Sequence, residues 1–370
     1  MPSWYNDFEG SIWPPLHQIN GMRAFDVNAL TALIKGGEYD IYVLHPKGNV
    51  FTIPGVTLLE SDVPSKYSSP QFQIKTSKIF KDIIKYDEFH QFDRIIYNLL
   101  LSINIPESIS SRFLYICHGN FPVWGRTRRG IEAQRFLRNL RVKGGKSYIV
   151  GSDVILNKYI EYGKTKAHIG NYDPSIDPFD GCFDINVVDH TLDDIIKRGS
   201  FPERTQDFVF VGRACNQKNI KLALKLKSLG FDIKIFTVED PHNKEYLKDK
   251  QLSKCIVGAS REEIFENLLR SKYYLFPSKY EASGGISSFE AASSGCKVIH
   301  TIPEPLYYLE GYGASVMVDN LTIDDYSREL DFRLNIEYST SQALKQIEAY
   351  AKNYTIENLY NRLRNILSWH

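Results

Sequence analysis

The chain has 370 residues, 43% of them hydrophobic and 24% charged, with a formal net charge of +1. The length is too great for one ordinary core and points to two domains of a soluble globular protein. Near-neutral charge excludes any global pull toward nucleic acid or membrane.

Taken in order, the opening MPSWYNDFEGSIWPP has neither a basic nor an apolar signal region, so no signal peptide is expected. No apolar run reaches the roughly 18 residues that cross a bilayer. Short β-branched runs then alternate with amphipathic stretches. Strands are expected at 39–45, 93–100, 112–118, 146–151 and 166–170, and helices at 24–35, 72–86, 128–141 and 152–161. The alternation breaks from Asn171 to Arg204, around YDPSIDPFDG, with a linker set at 181–204. It restarts with strand 207–212, helix 217–229, strand 231–237, helix 242–250 and strand 254–258. Helix 260–271 opens on Ser260 with Glu263 three residues on, a capping box. Strand 273–277, helix 286–294, strands 297–301 and 314–318, and one or two terminal helices from about Ser341 complete the chain. The pattern predicts an α/β protein with mostly parallel sheets: two Rossmann-like domains facing across a cleft. The expected boundaries are 1–180, the linker, 205–345, and a C-terminal helix at 346–370 that packs back on the N-terminal domain. Five scattered cysteines (Cys117, Cys182, Cys215, Cys255 and Cys296) form no CxxC pair. They argue against a disulfide framework and a zinc site, and for a reducing, cytoplasmic compartment.

The densest chemistry lies in FPSKYEASGGISSFEAASSGCKV, residues 276–298. Gly284 and Gly285 close a strand-to-helix loop, and a helix start near Ile286 offers unpaired N–H groups to an anion. Glu290 falls about one turn into that helix and Glu281 at the strand exit, where carboxylates can accept from sugar hydroxyls. The same spacing also reads as a solvated tight turn. VGRACNQKNI adds Arg213 and Lys218 directly after the first strand of this half. A rigid guanidinium fork and an ammonium point charge together suit a diphosphate.

These two stretches, spanning about 205–320, resemble the retaining GT-B glycosyltransferases of family four, and HIGNYDPSIDPF resembles that family's linker. The resemblance implies that Arg213 and Lys218 clamp the diphosphate of a UDP- or GDP-linked sugar donor. It implies ribose binding by Glu290, donor-sugar contacts by Glu281, and backbone contacts to phosphate or sugar around Gly285 and Ile286. Val257 and Gly258 would meet the nucleobase. Two departures stand out: the glutamates lie nine residues apart where the family has eight, and Lys297 replaces its usual proline.

In the N-terminal half, Gly21 and Arg23 precede a helix and read as an acceptor-side loop or a capping turn. His118 ends a strand ahead of Gly119 and Asn120; it reads as structural or, by the resemblance, as a histidine beside the donor sugar. No Ser-His-Asp triad and no convincing metal pair is evident, so metal-independent transfer without a cofactor is expected. The stretch 124–146 carries Arg126, Arg128, Arg129, Arg135, Arg138, Arg141, Lys143 and Lys146 against Glu132 alone. It reads as a solvated basic face, as a contact for an anionic membrane bearing a lipid-linked acceptor, or as a nucleic-acid surface. The expected activity is sugar transfer to a hydroxyl of a glycan or lipid-linked glycan. The alternatives are a DNA-modifying transferase of the phage type and a non-catalytic sugar-nucleotide-binding module.

Overall fold

The computed structural model describes residues 21–47, 53–64, 72–97, 105–117, 136–153, 155–157, 177, 179–188, 190–198, 201–238, 246–279, 281, 285–302 and 304–369. The chain divides into two compact units: the first runs to Ile185 and takes back the chain from Ile356, and the second holds Asn186–Thr355.

In the first unit, α1 (Gly21–Gly36) leads into a parallel pair, β1 (Ile41–Lys47) and β2 (Val56–Pro64). Helix α2 (Phe72–His90), β3 (Ile95–Tyr97), the single turn α3 (Glu107–Ser110), β4 (Phe113–Cys117), a helix at 136–142 (α4), β5 (Lys146–Val150) and β6 (Gly181–Phe183) follow. The last four strands form one parallel sheet in the order β3-β4-β5-β6. Every residue of β4, FLYIC, is buried, as a parallel strand covered on both faces requires. Each such large apolar side chain contributes about 1.5–3 kcal/mol on burial. The final helix of the chain, Ile356–Leu367, lies against α1 within this unit. The approach is close: a Cβ at Gly36 would fall 2.1 Å from the Tyr360 ring. Arg94 fastens the chain end, donating to Leu367 O at 3.0 Å and lying 4.2 Å over the Trp369 ring.

The second unit begins with α5 (His190–Arg198), then β7 (Gln206–Val211), α6 (Ile220–Ser228), β8 (Ile233–Thr237), α7 (Asp249–Leu252) and β9 (Ile256–Val257). It continues through α8 (Arg261–Arg270), β10 (Ser271–Phe276), α9 (Ile286–Ser293), β11 (Lys297–His300), β12 (Ser315–Met317), α10 (Ile323–Leu334) and α11 (Thr340–Asn353). Ile356–Leu367 of the first unit is α12. The six strands are parallel, in the order β12-β11-β10-β7-β8-β9. The chain moves outward from β7 on one side, then returns at β10 to build the other. The strand order therefore reverses between β7 and β10, the place where open α/β sheets bind ligands.

Several elements differ from expectation. The pattern missed β2, whose exposed Thr57, Glu60 and Asp62 fall on both faces of the strand and break its alternation. β6 and α5 lie inside the segment read as linker; three residues of strand are too few to show a period. α10 was also missed, although Thr322 caps it by accepting from the Asp325 N–H at 3.1 Å. The strand expected at 166–170 lies outside the described residues.

Candidate active site

The exits of β7 and β10 lie side by side because Phe208 and Val209 pair in register with Tyr273 and Tyr274. Whatever follows these strands is delivered to one edge of the sheet. After β7 come Gly212, Arg213, the turn at 216–219 and Lys218; after β10 come Ser278, Lys279 and Glu281, then Gly285 and α9.

The two exits are stitched together. The Lys279 N–H donates to Gln217 O at 2.9 Å, and Lys279 Nζ donates to Asn216 Oδ1 at 2.5 Å. Lys218 Nζ makes an ion pair with Glu281 Oε2, the side chains only 13% and 9% exposed. Its ammonium also lies 5.4 Å from the Phe276 ring centroid. Gln217 Nε2 donates to the other Glu281 oxygen at 3.2 Å, while Gln217 Oε1 accepts from Arg213 Nη2 at 3.3 Å. Arg213 itself is exposed. The buried Tyr274 hydroxyl donates to Val211 O at 2.8 Å and meets Ser287 Oγ at 2.9 Å, joining the end of β7 to the first turn of α9. Burial pushes its phenol far above the usual range.

Gly285 is the N-cap of α9 and has no side chain of its own to cap it with. Its glycine identity follows from crowding. A Cβ there would lie 2.9 Å from Ser288 Oγ, 3.2 Å from Phe276 Cζ and 3.3 Å from Glu281 Cγ. The Gly285 carbonyl accepts from Ser288 Oγ at 2.7 Å and from the Tyr308 hydroxyl at 3.0 Å. These bonds set the direction of the helix start, with Ile286 as its first residue and the positive end of its dipole at the strand exits.

Glu290 is buried in α9, and its Oε1 accepts from Arg261 Nη2 at 2.6 Å. Arg261 opens α8, directly after Ser260, whose hydroxyl accepts from the Glu263 N–H at 3.1 Å as the capping box requires. At the neighbouring strand end, Gly258 adopts φ +73° and its N–H donates to Thr237 O at 3.2 Å. Thr237 Oγ1 in turn donates to Gly212 O at 2.8 Å, which ties the Val257–Gly258 turn to the β7 exit. Val257 is 50% exposed.

Arg213, Lys218, Glu281, Gly285 and Ile286 thus gather at one strand edge of the second unit, with Glu290 one turn into α9. Gly284, His118, Asn120, Arg126, Arg128, Arg129 and Arg135 lie outside the described residues. Gly21 and Arg23 fall in the first turn of α1, in the other unit. Arg138 is 2% exposed, and Arg141 and Lys146 both pair with Asp180, at 3.3 and 3.2 Å. The described part of the basic stretch therefore turns three of its cations into the unit, and Arg138 adds nothing to an exposed surface.

Sequence reasoning missed Arg261 and Gln217. A signal for Arg261 was present: a cation in the first turn of a helix opposes the dipole, and such a residue calls for an anionic partner. Gln217 carried none, because Glu281 lies 64 positions away.

No family model matches the chain, and no curated protein matches it by sequence. Solved structures do match. Sucrose-phosphate synthase from Thermosynechococcus elongatus aligns with a TM-score of 0.65 at 13% identity, over 94% of this chain and 92% of that one. A trehalose-6-phosphate protein from E. coli bound with UDP-2-fluoro glucose gives 0.65 at 9% identity, over 95% and 96%. A glycosyltransferase from Rickettsia africae gives 0.59 at 15% identity, over 93% of each chain. With its parallel sheets, alternating helices and these likenesses over nearly the whole length, the chain has the GT-B glycosyltransferase fold.

Proposed function

We propose that the protein is a retaining, metal-independent glycosyltransferase that moves a sugar from a UDP- or GDP-linked donor to a hydroxyl of a glycan or lipid-linked glycan. The observation that carries this reading is the meeting of Arg213, Lys218 and the glycine-capped start of α9 where the strand order reverses. The E. coli structure bound with UDP-2-fluoro glucose supports a donor of this class.

In this reading the second unit holds the donor. Arg213 and Lys218 take the diphosphate, and the amides at Gly285 and Ile286 reach its oxygens or those of the sugar. Glu290 takes the ribose hydroxyls, Glu281 a hydroxyl of the sugar, and the Val257–Gly258 turn the base. The first unit brings the acceptor, with Gly21, Arg23 and Asn120 as its contributors, and His118 serves the donor sugar. The bond from the anomeric carbon to the diphosphate oxygen breaks as the cations and helix amides absorb the leaving charge. The acceptor oxygen bonds to that carbon on the face the diphosphate leaves. Its proton passes to a phosphate oxygen, so no protein nucleophile enters. Five free cysteines support a reducing cytoplasm as the setting. Among the described residues no helix is long and apolar enough to cross a membrane.

A thermal-shift screen of UDP-, GDP-, ADP- and CMP-linked sugars tests the reading. A matching donor at about 100 times its Kd raises stability by about 2.7 kcal/mol. A screen in which no sugar nucleotide moves the melting temperature contradicts it. A non-catalytic sensor would bind a donor without slowly hydrolysing it; a transferase leaks to water.

A further inference from the structure

Gln217 occupies the turn between the two cations and touches both sides of the site. Its Oε1 accepts from Arg213 Nη2 at 3.3 Å, and its Nε2 donates to Glu281 Oε1 at 3.2 Å. The orientation of the amide is fixed by chemistry, since a guanidinium only donates and a carboxylate only accepts. Its backbone carbonyl accepts the Lys279 N–H at 2.9 Å, so the peptide carrying it is also held by the β10 exit. The second oxygen of Glu281 is taken by Lys218.

Resting on the functional reading above, we infer that Gln217 is a positioning residue that sets the spacing between the diphosphate clamp and the sugar-binding carboxylate. One half of the donor meets Arg213 and the other meets Glu281, and the carboxamide is the rod between them. Few side chains can do this. A glutamate at 217 accepts from Arg213 but repels Glu281, and a lysine donates to Glu281 but repels Arg213. An alanine removes the link between Arg213 and Glu281.

The consequence separates binding from turnover. A nucleoside diphosphate lacks the sugar and needs only the cations. An intact nucleotide sugar must satisfy both groups in register, and its hydrolysis or transfer depends on that register.

The test uses the full chain, wild type against Gln217→Ala and Gln217→Glu. Affinities for UDP and GDP are measured by calorimetry, and steady-state hydrolysis of UDP-glucose and GDP-glucose gives kcat and KM. For the better donor, Gln217→Ala keeps the nucleoside diphosphate Kd within about threefold and the ligand-free melting temperature within about 2 °C. Its kcat falls about tenfold, the scale of one lost hydrogen bond to a charged group. Gln217→Glu loses at least as much at pH 7.5. Wild-type turnover with Gln217→Ala unimpaired overturns the role of Gln217 and leaves the functional reading standing. Equal losses in diphosphate binding and in turnover, with a lowered melting temperature, reduce the residue to a loop fastener and also overturn it. Failure of the wild type to bind either nucleotide or either donor removes the functional reading, and this inference with it.

Discussion

Lys218 and Glu281 form an ion pair across the exits of two neighbouring strands, with both side chains nearly withdrawn from water. A cation suited to a diphosphate is thereby held by the carboxylate suited to the sugar. The site carries its own counter-ion, and in the proposed function a donor's phosphates compete with Glu281 for the same ammonium.

That competition is measurable. Glu281→Ala leaves Lys218 without its carboxylate and lowers ligand-free stability by about 1–3 kcal/mol. The stabilisation gained from UDP or GDP then exceeds that of the wild type, because the phosphates no longer displace a carboxylate. Sugar turnover falls in the same variant. Thermal melts with and without the nucleotide check both directions.

The Arg261–Glu290 pair is a second buried charge couple, closed at 2.6 Å. Arg261→Met leaves a buried carboxylate without that partner and costs about 3 kcal/mol in urea unfolding. The double variant Arg261→Met with Glu290→Gln recovers about 1–3 kcal/mol of the summed loss, the coupling of groups in direct contact. Simple additivity in that cycle rules out the pair as a structural unit.

Tyr308 holds the helix start from behind, donating to Gly285 O at 3.0 Å and meeting Ser288 Oγ at 2.6 Å. Tyr308→Phe keeps the ring packed edge-on against Phe289 but removes the hydroxyl. Stability drops by about 1 kcal/mol. KM for the donor rises several-fold while the fold, followed by circular dichroism, is unchanged. An unchanged KM excludes a link between this hydroxyl and the helix start.

His300 gives the protein an acid limb. It ends β11, is 1% exposed, and its Nε2 meets Ser315 Oγ at 2.7 Å. Burial lowers its pKa from 6.5 to about 4. Above 6.5 the imidazole is neutral in both states and pH has no effect through it. Between 6.5 and about 4 the unfolded chain takes the proton first, so stability is lost as pH falls, up to about 3 kcal/mol. Below that range both states are charged and the loss stops growing. Urea melts from pH 7.5 to 4 show a shallower acid slope for His300→Gln than for the wild type; identical slopes refute the assignment.

The sheet of the second unit was legible because its strands are buried on both faces and read as apolar runs such as DFVFV and YYLF. Glycine and capping signals then placed α8 and α9 nearly to the residue. The first unit was harder. β2 has exposed residues on both faces (Thr57 against Glu60 and Asp62), β6 is three residues long, and neither leaves a period to find. In the site, the residue types that favour an anion were visible, whereas the pairings were not. Lys218 with Glu281, Gln217 with Glu281 and Arg261 with Glu290 join residues 63, 64 and 29 positions apart, brought together only by the register of β7 on β10 and the packing of α8 and α9 beside them.

The most direct measurement is calorimetric titration of UDP and GDP into the wild type, Arg213→Ala and Lys218→Ala. Binding of one nucleotide to the wild type, weakened about tenfold or more in each variant, with the ligand-free melting temperature close to wild type in Arg213→Ala and lowered in Lys218→Ala by the loss of its ion pair, is the expected result. A wild type that binds neither nucleotide, or variants that bind as tightly as the wild type, would contradict a diphosphate site at these strand ends.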